Sequence, residues 1–228
     1  MKKYVNLFVF VFMIGACLSQ GRAQTKSAVS YKNPVVDIAM PDPTVIKAAD
    51  GYFYVYATES TRNVPIMKSK DLVEWTYCNT AFTNKTRPRF EPKAGIWAPD
   101  INYINGKYVL YYAMSVWGGE QTCGIGVATA NSPQGPFTDH GKMFRSNEIG
   151  VQNSIDPSLL QYEGRNYLVW GSFRGIYVIE LTADGLSIMP GAKKKRIAGT
   201  AFEAVYIHKY GDYYYMFASI GSCCQGVK

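Results

Sequence analysis

The sequence predicts an all-β fold, a β-propeller, and three observations carry that reading. Four segments share one layout, an acid, then two residues, then two apolar or aromatic ones. A turn glycine and a second aromatic run follow each. The acids Asp42, Asp100, Asp156 and Glu203 stand 58, 56 and 47 residues apart. That period, with about four strands per unit and weak helical periodicity, fits a propeller blade.

The four heads are Asp42-Pro43-Thr44-Val45-Ile46, Asp100-Ile101-Asn102-Tyr103-Ile104, Asp156-Pro157-Ser158-Leu159-Leu160 and Glu203-Ala204-Val205-Tyr206-Ile207. Gly51, Gly106, Gly164 and Gly211 mark the turns. The return strands are Tyr52 to Tyr56, Tyr108 to Tyr112, Tyr167 to Trp170 and Tyr213 to Phe217. Strand, tight turn and strand make a β-hairpin. Further strand-like runs follow at 64–68, 124–130 and 175–181. The chain holds 18 tyrosines, 14% aromatic residues and 47% hydrophobic residues, a mix suited to half-buried strands.

The first strand of a blade lies nearest the propeller axis. An acid at its head therefore sits at one end of the central channel. Four acids in register would converge there, and crowded like charges raise one another's pKa. Such convergence points to function more than to structure. Asp-Pro also starts turns, so each Asp taken singly has a bland reading as a turn cap. Glu203 stands between Phe202 and Ala204, where capping does not explain it. A Glu buried beside aromatics holds its proton near neutral pH, as a general acid must.

The N-terminus reads as an export leader over residues 1–24. Lys2 and Lys3 precede an apolar run from Val5 to Ala16, too short for a membrane-spanning helix. Two cleavage readings stand side by side. Gly21-Arg22-Ala23 is a small-x-small site, and Ile14-Gly15-Ala16-Cys17 resembles a bacterial lipobox with Cys17 as a lipid anchor. Both imply export, to the periplasm, the outer surface or the medium. Removing the leader lowers the net charge from +7 to +4. The one basic run, Lys193-Lys194-Lys195-Arg196, reads as a solvated loop or hairpin tip, and no nucleic-acid reader motif accompanies it. Cys78, Cys123, Cys223 and Cys224 read as small buried hydrophobes, with disulfides open to them after export. His140 and His208 are too few for a histidine-rich metal site or a Ser-His-Asp triad, and His208 reads as a surface residue.

The chain from about Asn33 onward resembles glycoside hydrolase family 43, the five-bladed propeller glycosidases. The resemblance rests on Met40-Pro41-Asp42-Pro43, Trp97-Ala98-Pro99-Asp100, Ser154-Ile155-Asp156-Pro157-Ser158 and Phe202-Glu203-Ala204, in that order and spacing. Phe217-Ala218-Ser219 with Gly221-Ser222-Cys223-Cys224-Gln225-Gly226 resembles its arabinan-degrading branch. The resemblance implies a five-bladed propeller, of which residues 33–228 hold about three and a half blades. It places roughly 70 or more residues beyond Lys228, at about 50 per blade.

It also implies roles. Asp42 matches the general base, Glu203 the general acid, and Asp156 the third carboxylate that orients the acid and keeps its pKa high. Asp100 and Ser154 fall to pocket shaping or sugar binding. Trp97 and Trp117 are candidates for the aromatic sugar platform, while Trp75 and Trp170 are assigned to packing. The family is inverting, so Asp42 and Glu203 should stand roughly 6.5–9.5 Å apart, with a water between base and sugar. No cofactor enters that chemistry. A structural calcium in the longer protein is implied for some arabinan-degrading members, with no metal ligand assigned here. The expected activity is inverting hydrolysis of arabinan or arabinose-containing hemicellulose by a monomer. The alternatives are an exo-acting β-xylosidase or α-L-arabinofuranosidase of the same fold, or a non-catalytic carbohydrate-binding propeller.

Overall fold

In the computed structural model the chain divides into two units, Met1–Tyr31 and Lys32–Lys228. The structure describes residues 30–221, all but two of them in the second unit. The leader, Cys17, Cys223 and Cys224 lie outside the described residues.

Three four-stranded antiparallel sheets and one two-stranded sheet follow one another along the chain. The first blade holds β1 (Thr44–Lys47), β2 (Phe53–Tyr56), β3 (Pro65–Ser69) and β4 (Trp75–Thr80). The second holds β5 (Gly95–Ile104), β6 (Lys107–Ser115), β7 (Gly124–Ala130) and β8 (Thr138–Arg145). A single helical turn, α1 (Ser146–Ile149), leads to the third blade. That blade is β9 (Ser158–Tyr162), β10 (Arg165–Trp170), β11 (Ile176–Glu180) and β12 (Lys195–Ala198). The fourth sheet pairs β13 (Phe202–Tyr210) with β14 (Tyr213–Ile220). Strand order within each sheet follows the chain. The expected hairpins and about three and a half blades are thus present.

Period-2 alternation assigns each strand face to a neighbouring blade. On β6, Leu110, Tyr112 and Met114 join Tyr54, Tyr56, Ile66 and Phe82 of the first blade. The intervening Val109 and Tyr111 join Leu168, Trp170 and Ile179 of the third. Both faces of β6 are buried, which is why Tyr-Val-Leu-Tyr-Tyr-Ala-Met shows no polar alternation. Phe82 meets Tyr112 edge-on at 5.7 Å between ring centres, and Phe144 meets Trp170 at 5.1 Å. Each arrangement is of the kind aromatic pairs favour. Val169 and Ile176 turn the other way, onto Val205 of the fourth sheet.

The basic run is solvated: Lys193 and Lys194 lie in an exposed loop, and only its second half is strand rather than loop or hairpin tip. Lys195 and Arg196 open the edge strand β12, where exposed charge discourages strand addition. Cys78 is half-buried, Cys123 is buried and both are free thiols. His208 is exposed.

Candidate active site

Pairing registers align the four inner strands. Thr44 faces Tyr56, Asp100 faces Tyr111, Ser158 faces Val169 and Tyr206 faces Phe217 across their hairpins. Thr44, Asp100, Ser158 and Tyr206 are therefore equivalent. Two residues before them stand Asp42, Ala98, Asp156 and Ala204, with φ of 48°, 40°, 56° and 51°. All four lie in the left-handed region, which costs an alanine about 1–2 kcal/mol. In β5 and β13 the ladder is interrupted at this point, between Trp97 and Asp100 and between Glu203 and Tyr206. The bulge bends each strand at the mouth of the channel.

This register corrects the expectation that four acids occupy one position. Asp42 and Asp156 do. Asp100 sits two residues deeper, and Glu203 sits one residue earlier, at the place of Trp97. The offset separates their roles. Asp42, Asp156, Glu203, Trp97 and Trp117 all line one cavity of about 760 Å³. Asp100 lines a second space of about 570 Å³ further along the channel, which Asp42, Asp156 and Ala204 also border.

Asp100 is therefore set apart from the cavity that holds the three carboxyls, in the adjoining space. It is buried, and its Oδ2 accepts from the Leu159 amide and from Asn102 Nδ2, each at 2.7 Å. Thr44 donates to its Oδ1 at 3.5 Å. Those bonds tie the first three blades together. Burial pushes its carboxyl up to about 6, against the pull of the three donors. Ser154 is also not in the cavity. It is fully buried, donates to the Val151 carbonyl at 2.8 Å and accepts from Trp170 Nε1 at 3.1 Å. It holds the core tryptophan, so its hydroxyl is taken up by protein partners.

The three cavity carboxyls differ in surroundings. Asp42 is exposed, and Thr58 Oγ1 donates to its Oδ2 at 2.5 Å. Asp156 is half-buried and accepts the Ala204 amide at 3.2 Å on Oδ2. Desolvation, then the charges of Asp42 and Glu203, push its carboxyl up to about 7. Glu203 accepts from Ser172 Oγ at 3.2 Å, and Ser172 also bridges it through backbone pairing. Burial first, and the Asp42 charge second, raise the Glu203 carboxyl above its ordinary value. The mutual repulsion falls most heavily on Asp156.

Trp97 and Trp117 stand at one side of the cavity, ring centres 6.4 Å apart at 58°. Trp97 packs on Ala113, Cys123 and Ile155, and its indole lies so close over Gly95 that a Cβ there would meet Nε1 at 2.4 Å. Trp117 is 79% exposed. Sequence reasoning missed four other residues of the site: Thr58, Ser172, Phe173 and Glu120. Ser172, Phe173 and Glu120 line the cavity, and Glu120 receives a two-pronged bond from Arg174 at 3.0 and 2.9 Å. The signal for Thr58 and Ser172 was their place, two residues past the ends of β2 and β10.

The described residues offer no group of three or more His, Cys, Asp or Glu side chains suited to a metal ion. Asp100, the deepest channel acid, already spends its oxygens on protein donors. The described residues alone do not form a calcium shell, and no step below runs through one.

Comparison with known proteins agrees with this architecture. The extracellular endo-α-(1→5)-L-arabinanase 1 of Bacillus subtilis is 36% identical over 200 residues, covering 82% of this chain and 61% of that protein. The arabinan endo-1,5-α-L-arabinosidase A of Aspergillus niger is 32% identical over 192 residues, 80% of this chain and 59% of the relative. The chain thus spans about three fifths of the length of these curated relatives. The native Bacillus subtilis arabinanase structure superposes with a TM-score of 0.72 at 33% identity, covering 84% of this chain and 69% of that one. A Cellvibrio cellulosa α-L-arabinanase complexed with arabinohexaose gives 0.72 at 28% identity, covering 82% and 67%. The described blades are thus an incomplete five-bladed propeller. Residues 31–228 match Glycosyl hydrolases family 43, and with inner-strand carboxyls from three blades lining one cavity, the chain belongs to that family.

Proposed function

We propose that this chain carries the catalytic centre of an exported arabinan hydrolase that works by inversion. The observation behind the proposal is the meeting of Asp42, Asp156 and Glu203, from three blades, in one cavity beside two tryptophans. In this reading Glu203, with its raised pKa, protonates the leaving oxygen. Asp42, the most exposed of the three, takes a proton from the water that attacks the anomeric carbon. Asp156 holds the bulge at Ala204 and so fixes the backbone next to Glu203. Trp97 and Trp117 pack on the sugar faces. Arabinan is favoured over xylan because the relatives above are arabinanases by name, and the extracellular one supports the leader reading of residues 1–24.

The test is hydrolysis of debranched arabinan, xylan and nitrophenyl glycosides by the enzyme carrying this sequence. Early-time NMR should find the anomer opposite to that cleaved. Release of short oligosaccharides supports endo action, and release of arabinose alone supports the exo alternative. No turnover of any of these substrates would sink the proposal.

A further inference from the structure

We infer that Thr58 is the positioning residue of the base: its hydroxyl is locked as a donor to Asp42 by the strained amide of Ala98. The inference rests on the hydrolase reading above and deepens it.

The argument starts at Ala98. Its left-handed φ of 40° and the break in pairing between Trp97 and Asp100 leave its N–H without a ladder partner. A half-buried amide must find an acceptor. It finds Thr58 Oγ1, at 2.6 Å. A threonine hydroxyl has a single proton. With Ala98 N–H already donating to the oxygen, that proton points to Asp42 Oδ2, 2.5 Å away. An ionised carboxylate only accepts, so the direction of the chain Ala98 N–H, Thr58 O–H, Asp42 is fixed. Oδ1 is left to take the proton from water. When it does, Oδ2 remains an acceptor, so the same geometry holds through the step.

Thr58 is itself held from both sides. Its amide donates to the Pro41 carbonyl at 2.9 Å, one residue before Asp42. The next residue, Glu59, donates its amide to the Ile96 carbonyl at 3.1 Å and accepts the Ile96 amide at 2.9 Å. Its carboxylate grips both terminal nitrogens of Arg87, a buried two-pronged pair. Blades one and two are thereby stapled at the point where Thr58 reaches Asp42. In the fourth sheet the equivalent amide, that of Ala204, goes straight to Asp156. The same bulge thus serves two carboxyls, one directly and one through a hydroxyl.

The experiment compares Thr58→Val, Thr58→Ala and Thr58→Ser in the enzyme carrying this sequence. Val and Ala should lower kcat about 10- to 100-fold, the scale of a misplaced catalytic group, with KM within about twofold. Ser should regain most of the loss. Azide, which attacks the anomeric carbon without a base while Glu203 protonates the departing oxygen, should restore turnover of Thr58→Val as glycosyl azide. Crystal structures should find the Asp42 carboxylate rotated in Val and Ala and unmoved in Ser. An unmoved carboxylate in both Val and Ala, or kcat within twofold of the parent in either, overturns the inference. Should Val fail to fold, Ala decides by the same measurements. A parent that cleaves no glycoside sinks the hydrolase reading, and the carboxylate orientation still decides the role of Thr58.

Discussion

The amide of Ala204 donates to Asp156 Oδ2 across 3.2 Å, joining the third blade to the backbone residue that follows Glu203. Asp156 can thus fix Glu203 through the chain rather than through a contact between carboxyls. The arrangement costs stability. The Asp156 carboxyl is raised from an ordinary 3.8 to about 7 by desolvation and by its two acidic neighbours.

The sign of the resulting pH dependence follows from linkage. A carboxyl raised in the folded state is neutral in both states below about 3.8 and carries no penalty there. As pH rises toward about 7 the unfolded chain releases its proton first, and stability falls. Asp156→Asn keeps an acceptor for Ala204 and tolerates a left-handed φ. It should melt with the parent near pH 4 and roughly 3 °C or more above it at pH 8, while losing activity. Thermal unfolding at the two pH values checks this, and a gap independent of pH would refute it.

Ser172 acts on Glu203, the proposed acid, in the opposite direction. Its hydroxyl donates to Glu203 Oε2 and favours the ionised carboxylate, against burial and the Asp42 charge. Ser172→Ala should therefore move the alkaline limb of kcat/KM upward. Glu203→Gln should cost about 10²–10⁴ in kcat on arabinan and less on nitrophenyl glycosides, whose leaving group needs little protonation. A pH–rate profile of Ser172→Ala that coincides with the parent would remove Ser172 from the mechanism.

Much of this was legible in the sequence, and the part that was not has a definite cause. Turn glycines and aromatic return strands placed the hairpins of all four sheets. Asp42, Asp156 and Glu203, which the structure brings to one cavity, stand out in the sequence because an acid at or just before an apolar inner strand is chemically conspicuous. Aligning the blades by acid was the error. The backbone aligns them by a left-handed residue, followed by proline in three cases out of four: Asp42-Pro43, Ala98-Pro99 and Asp156-Pro157. Asp100 looked equivalent only because Ala98 has no charge to attract notice. Thr58 and Ser172 escaped because their partners are distant in sequence, and a hydroxyl after a strand has many bland uses.

The reassignment of Asp100 is itself testable. Removing its side chain leaves the buried Leu159 amide without an acceptor. Asp100→Ala should lose about 1–3 kcal/mol on that account, with KM for oligosaccharides little changed. Asp100→Asn, which keeps an acceptor, should lose less. Urea unfolding gives the first quantity and steady-state kinetics the second. A large rise in KM at unchanged stability would return Asp100 to the sugar-binding residues.

The two cavity tryptophans should separate by the same pair of measurements. Trp97 is half-buried on Ala113, Cys123 and Ile155, so Trp97→Ala removes core packing as well as the proposed sugar contact. It should lower the melting temperature and raise KM together. Trp117 is 79% exposed beside Gly118 and Gly119, and its loss leaves little uncovered. Exposed substitutions usually stay within about 0.5 kcal/mol. Trp117→Ala should therefore keep its melting temperature, raise KM for arabinan oligosaccharides about three- to tenfold, and leave kcat nearly intact. That pattern belongs to a ring that holds substrate and transition state equally. If KM stayed unchanged instead, the sugar platform would rest on Trp97 and Phe173, the other aromatic side chains lining the cavity among the described residues.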